Sequence, residues 1–149
     1  MIYHVQTNTD NVSSLYAAIT EAISMASEFS GRVYLTHVNQ VSFTNSVTRH
    51  AFAKLGELPN FKRRERTVRK GGVEIIFITH SELRKTPLTS RDVCVGVVSG
   101  KSTCLTLEAV AIEVGCVCIL TLLYNAYPDI SRFEDDWVLN LKSKLLAST

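Results

Sequence analysis

The stretch DVCVGVVSGKSTCLTLEAVAIEVGCVCILTLLY, residues 92–124, decides the fold. It begins with the apolar run Asp92–Val98, which is typical of a strand buried on both faces of a sheet. A helix pattern follows over Leu105–Val114, and Gly115 is a natural residue to end it. The run Cys116–Tyr124 then has the composition of a second buried strand. Strand, helix and strand in this order predict a βαβ unit with parallel strands.

The amino-terminal part of the chain repeats this order. Ile2–Gln6 is a short β-prone stretch, and apolar residues recur every three or four positions over Val12–Phe29, as in a helix that lies on a sheet. Arg32–Val38 is a further strand pattern. A second βαβ unit is therefore predicted.

The middle of the chain is less regular. Val41–Leu58 has a weaker helix pattern, and the strand pattern Val73–Thr79 follows a basic loop and two glycines. His80–Ser90 is short for the crossover helix of a parallel sheet. Near the carboxyl end, Ile130–Leu146 has the pattern of an amphipathic closing helix.

These elements predict one α/β domain over residues 1–149, with a mainly parallel, five-stranded sheet. Helices between most strands predict a three-layer, doubly wound, Rossmann-like arrangement. The most apolar strands supply the residues expected at the centre of one nearly inaccessible core, which are Ile76, Val93, Val95, Val97, Val117 and Ile119.

Composition narrows the class of protein. Of 149 residues, 46% are hydrophobic and 20% are charged, which is typical of an ordered globular chain, and the net charge of +2 is too small for a molecule-wide attraction to nucleic acid. The longest apolar run is too short to cross a bilayer, and residues 1–4 lack the features of a secretory signal. We expect a cytoplasmic protein that does not enter the membrane. Most of its cysteines lie in apolar runs and are expected to be reduced and buried.

Ligands of open parallel sheets bind outside the carboxyl ends of the strands. This rule selects Thr7–Asn11, Thr36–Gln40, Thr79–Glu82 and Ser99–Thr103. The last segment has a glycine, hydroxyls and a lysine where a helix begins, which favours an anion such as phosphate. In the alternative interpretation, a serine caps the helix and the lysine is solvated. The candidate ligand-binding residues are Asn8, Asp10, Asn39, Ser99, Gly100, Lys101, Ser102, Thr103 and Glu108.

The chain has three partial resemblances to known families and motifs. The strand, turn and Leu-Glu-Ala helix over residues 92–109 resemble the donor-binding half of two-domain glycosyltransferases, which implies that Ser102 and Thr103 meet phosphate and Glu108 meets a ribose or sugar hydroxyl. The segment Gly100–Ser102 is similar to the end of a Walker A motif, but Val95 stands where that motif has its first glycine. Residues 2–38 resemble the opening of universal stress proteins, whose Gly-x-x-Gly signature is absent here.

The histidines are His4, His37, His50 and His80, and no pair of them has metal-ligand spacing, so no metal site is expected. His37 and His80 fall near predicted strand ends, where they could converge, although a polar residue at the sheet rim is the simpler interpretation. No Gly-x-Ser-x-Gly motif is present. The sequence identifies no catalytic residue and no cofactor, and it leaves open whether the protein is an enzyme.

The basic segment Lys62–Lys70 supports a different class of function. It could contact an acidic partner or nucleic acid through Arg63, Arg64, Arg66, Arg69 and Lys70. The simpler interpretation is a solvated loop balanced by the acidic residues 134–136. The leading hypothesis is a small module that binds a nucleotide or another phosphorylated small molecule. The alternative is a non-catalytic interaction protein, and a homo-oligomer is compatible with both.

Overall fold

The computed structural model describes residues 2–6, 11–37, 47–56, 66–98 and 101–122. Among these residues the elements, in chain order, are β1 (Ile2–Gln6), α1 (Asn11–Phe29), β2 (Val33–His37), α2 (Val47–Leu55), β3 (Thr67–Lys70), β4 (Val73–Thr79), a 3-10 helix (His80–Lys85), β5 (Val93–Val98), α3 (Lys101–Val114) and β6 (Val117–Leu122). The predicted closing helix, Ile130–Leu146, lies outside the described residues. None of the helices described is long and apolar enough to cross a membrane.

The strands form one mostly parallel sheet in the order β1-β6-β5-β2-β4-β3. Only β3, at one edge of this described sheet, is antiparallel, and it pairs with β4. The predicted five strands are thus one too few, because the end of the basic segment was interpreted as loop. Gly71 and Gly72 both have positive φ, of 59° and 79°, which suits a two-residue hairpin turn between β3 and β4.

Helices pack on both faces of the sheet and form two apolar clusters. The first cluster joins α1 and α2 to one face, through residues such as Ile19, Phe52 and Val95. The second cluster joins α3 and the 3-10 helix to the opposite face, and it includes Leu83 and Leu107. This division follows from strand geometry, in which successive side chains point to opposite faces.

The prediction of one core is therefore wrong, since the sheet separates two. Val93, Val95, Val97 and Ile119 are at most 2% exposed, as expected. Ile76 and Val117 are only partly buried, and they pack against different clusters. Apolar character predicted burial correctly for the central strands, but it did not distinguish the two faces.

The amino-terminal ends of β2 and β5 are held together by backbone contacts. Helix α1 ends in a Schellman motif, in which Ser30 has a φ of 57° and the Gly31 N–H donates to Ala26 at 2.9 Å. A side chain on Gly31 would place its Cβ only 1.9 Å from the Arg91 carbonyl oxygen. Only glycine fits there without displacement of the backbone.

Candidate functional site

The described elements that follow β2 and its two neighbouring strands lie on different faces of the sheet. The next described element after β2 is α2, which packs in the first cluster. The 3-10 helix and α3, which follow β4 and β5, pack in the second cluster on the opposite face. Since β2 lies between β4 and β5, the face that is covered changes on both sides of β2. Open α/β sheets bind ligands at such switch points, outside the carboxyl ends of the strands.

Polar side chains are concentrated at this carboxyl edge. The described residues that are buried and polar or charged are Thr36, His37, Asp92 and Thr121. Three of them lie at the carboxyl ends of β2 and β6. The hydroxyl of Thr121 is satisfied, because it donates to the Gly96 carbonyl at 3.0 Å. Elsewhere in the sheet, the buried side chains that the structure describes are apolar, so the carboxyl edge differs from them.

The imidazole of His80 is anchored to β2. Its Nδ1 lies 2.8 Å from Oγ1 of Thr36, which is fully buried. Its Nε2 is also buried. Burial lowers the pKa of His80, although a hydrogen bond to the backbone of Val97 partly opposes this effect. The ring is therefore held by β2 and its neutral form is favoured.

His37 is the last residue of β2 and is 7% exposed. Burial and, to a lesser extent, the nearby charge of His80 together lower its pKa to about 4. The two histidines therefore converge, as their predicted positions near strand ends allowed. The interpretation of each as a rim residue missed the burial of His37 and the bond from Thr36 to His80. Their position at strand ends was the signal that could have identified them.

An ion pair fixes the backbone that carries His80. Oε1 of Glu82 accepts hydrogen bonds from the Thr79 N–H at 3.1 Å and the Thr79 hydroxyl at 2.8 Å. The guanidinium of Arg66 donates to both Glu82 oxygens, at 2.9 and 2.5 Å. The Arg66 contact, with those from Thr79, lowers the pKa of Glu82 to about 2. This network holds the 3-10 helix at the end of β4, and so it positions His80.

The predicted phosphate residues lie close to this edge. Lys101, Ser102 and Thr103 form the first turn of α3, which starts shortly after β5 ends. The predicted turn is thus partly helical, and the helix begins earlier than the Leu105 start that was predicted. Glu108 is half-buried and lies seven residues after Lys101, or about 10 Å along the helix axis. Asn8, Asp10, Asn39, Ser99 and Gly100 lie outside the described residues.

The described part of the basic segment forms ion pairs. Arg66 binds Glu82, and Nη2 of Arg69 lies 3.6 Å from Glu74. Arg66 precedes β3 near the carboxyl end of β4, whereas Arg69 and Lys70 lie beside the opposite end of β4. Arg63 and Arg64 lie outside the described residues. The described basic side chains are therefore divided between two ends of the sheet, and two of them have their charge compensated.

A polar cavity of about 400 Å³ lies at the opposite, amino-terminal edge of the sheet, beside Gly31, Arg32 and Arg91. The buried carboxylate of Asp92 is satisfied there. It accepts hydrogen bonds from the Arg32 N–H at 2.9 Å, the Thr89 N–H at 2.8 Å and the Thr89 hydroxyl at 3.1 Å. These contacts join the starts of β2 and β5, which gives Asp92 a structural role.

The described cysteines behave as apolar core residues. Cys94, Cys116 and Cys118 are free and buried in the second cluster, as predicted. Burial raises the pKa of Cys116 to about 11, so its thiol stays protonated at pH 7. A reactive cysteine needs a lowered pKa and exposure.

Comparison with known proteins gives no family model, no curated protein and no solved structure with significant similarity to this chain.

Proposed function

We propose that this protein binds a small phosphorylated ligand, such as a nucleotide, at the carboxyl edge of a Rossmann-like sheet. The observation that carries the proposal is the group of Thr36, His37 and His80 at the end of β2, on both sides of which the covered face of the sheet changes. Burying a polar side chain costs free energy unless it is hydrogen-bonded. A cluster of buried polar side chains at a sheet edge therefore favours a binding role over a purely structural one.

The start of α3 supplies the positive potential that a phosphate needs. The first N–H groups of a helix have no partner within the helix, and the helix dipole favours an anion there. Lys101 is the first residue of α3 and adds a positive charge at this position. The two histidines are neutral at pH 7, so they contribute hydrogen bonds rather than charge. In this arrangement α3 binds the phosphate, and the end of β2 contacts the remainder of the ligand.

The basic segment supports a second function less well. Two of its described arginines are already paired with Glu74 and Glu82, which reduces the positive field they present to a partner. We therefore keep the ligand-binding module as the one proposed function.

Thermal unfolding with a panel of nucleotides tests the proposal. A ligand at one hundred times its Kd should stabilise the fold by about 2.7 kcal/mol, which raises Tm by several degrees. Lys101→Ala should weaken binding of the phosphate by roughly 1 to 3 kcal/mol through loss of a charge-assisted hydrogen bond.

Lys85→Ala is the matched control, because it removes the same charge from an exposed residue at the far end of the 3-10 helix. It should leave affinity unchanged. The proposal is wrong if no member of the panel shifts Tm, or if the two lysine variants weaken binding equally.

A further inference from the structure

Helix α3 is apolar on its outer side as well as on the side that packs against the sheet. Its inner side is buried in the second cluster and includes Leu107 and Val110. Its outer side has Leu105, Ala109 and Ile112, which follow one another at the spacing of a single helical face and are all exposed. We call these three residues the α3 ridge. A helix that is apolar on both sides usually packs between two layers, so the ridge has the composition of a covered surface.

The exposure of the α3 ridge is large. Ile112 is 70% exposed and Leu105 is 40% exposed, and Phe29 at the end of α1 is the other large apolar side chain described as exposed. Single exposed apolar side chains are common on protein surfaces, whereas grouped ones mark interaction surfaces. The ridge is therefore a candidate interface.

A groove lies beside the ridge, between α3 and the 3-10 helix. Its volume is about 140 Å³, and its lining includes the apolar residues Leu88 and Val110 and the charged residues Arg84 and Glu113. The groove widens the apolar surface, and its rim has both signs of charge. Such a rim does not repel a second copy of itself, whereas nucleic acid and anionic membranes are attracted by an excess of basic residues.

The direction of the ridge favours a partner molecule over a neighbouring element of the same chain. The ridge points away from the sheet, because it lies opposite the buried side of α3. A further helix packed on the sheet beside α3 would contact the flanks of α3 and not the ridge. The ridge is thus suited to a molecule that lies over the helix layer.

The order of side chains in the ridge suits a second copy of the same helix. Leu105 and Ile112 are seven residues apart, or about 10 Å along the helix axis, and Ala109 lies between them. When two such helices pack antiparallel about a two-fold axis, Leu105 of one copy meets Ile112 of the other. The small side chain of Ala109 allows the two helices to approach closely. We propose that this protein forms a homodimer through the α3 ridge, with the two-fold axis close to Ala109.

The size of the surface determines the strength of the dimer. Helix α3 has 14 residues and is about 21 Å long, and together with the groove it is about 20 Å wide, which gives about 400 Å² on each copy. A stable complex buries about 800 Å² on each partner. The dimer is therefore weak and reversible, with a Kd in the micromolar range or above.

Sedimentation velocity of the full chain, from micromolar to millimolar concentration, tests the proposal. The unmodified protein should change reversibly from monomer to dimer as its concentration rises. Ile112→Glu places two buried charges in the interface and should raise the Kd of the dimer at least about tenfold. Phe29→Glu is the matched control, because it replaces the exposed apolar side chain of α1 with the same charge and should leave that Kd unchanged.

Dilution of the unmodified protein, followed by NMR, gives a second measurement that does not depend on how a variant folds. The amide signals of the α3 ridge should move with protein concentration, and that of Ser24 on the exposed side of α1 should not. The proposal is overturned if the two glutamate variants weaken the dimer equally or not at all, or if the concentration-dependent signals lie outside α3 and the groove. It is also overturned if the unmodified protein stays monomeric at millimolar concentration. A large fall in Tm for Ile112→Glu would then show that the chain itself covers the ridge.

Discussion

Acidification should destabilise this fold in the range in which ordinary histidines titrate. The pKa of His37 is lowered from 6.5 to about 4 in the folded protein, mainly by burial. Between these two values the unfolded chain binds a proton and the folded chain does not. The free energy of unfolding is therefore highest above pH 6.5 and falls as the pH drops toward 4.

The magnitude follows from the separation of the two pKa values. At pH 5 the histidine is almost fully protonated in the unfolded state and only slightly protonated in the folded state. The free energy of unfolding is therefore about 2 kcal/mol lower than at neutral pH, and the loss approaches about 3 kcal/mol at lower pH. The pKa of His80 is also lowered, so its contribution has the same sign. Glu82 acts in a different range, because its pKa is lowered from 4.5 to about 2.

Urea denaturation at pH 7.5, 6 and 5 measures this loss. His37→Gln should remove a large part of the pH dependence, and His50→Gln should leave it unchanged because His50 is exposed. An unfolding free energy that is constant from pH 7.5 to 5 would refute the reasoning. An equal effect of the two variants would refute it as well.

Three further substitutions test other parts of the structure. Ile119→Ala removes a fully buried side chain from the first cluster and should lower the free energy of unfolding, measured with urea, by roughly 2 to 5 kcal/mol. A loss under about 1 kcal/mol would contradict the packing described. Gly31→Ala forces a Cβ against a neighbouring carbonyl and should lower the unfolding free energy by roughly 1 to 3 kcal/mol, so an unchanged Tm would contradict the close approach. Replacing Arg63, Arg64 and Arg66 of the basic segment with glutamine should flatten the salt dependence of any nucleic-acid binding in a filter assay. Absence of binding by the unmodified protein would exclude nucleic acid as a partner.

The central strands could be predicted because parallel strands buried on both faces are continuous apolar runs. Such runs identified β2, β5 and β6 to within two residues at each end. The edge strand β3 could not be found in this way, because its residues alternate between exposed and half-buried and are mostly polar. The pair Gly71 and Gly72 between two extended segments was the local signal for that hairpin.

The candidate site was only partly accessible from the sequence. The rule for carboxyl ends selected segments that contain Thr36, His37 and His80. Their contact, however, depends on the strand order β5-β2-β4, which brings together residues 44 positions apart. No local pattern encodes that order. The burial that lowers the pKa of His37 likewise arises from packing between elements and not from its neighbours in the chain.

The location of the ligand site is tested most directly by mapping backbone amide shifts while a nucleotide such as AMP is titrated into the protein. Binding at the carboxyl edge predicts that the amides of Thr36, His37 and His80 shift together. The amino-terminal edge, marked by Gly31 and Asp92, should stay unchanged. Shifts confined to the amino-terminal edge, or no shifts at millimolar AMP, would contradict the account.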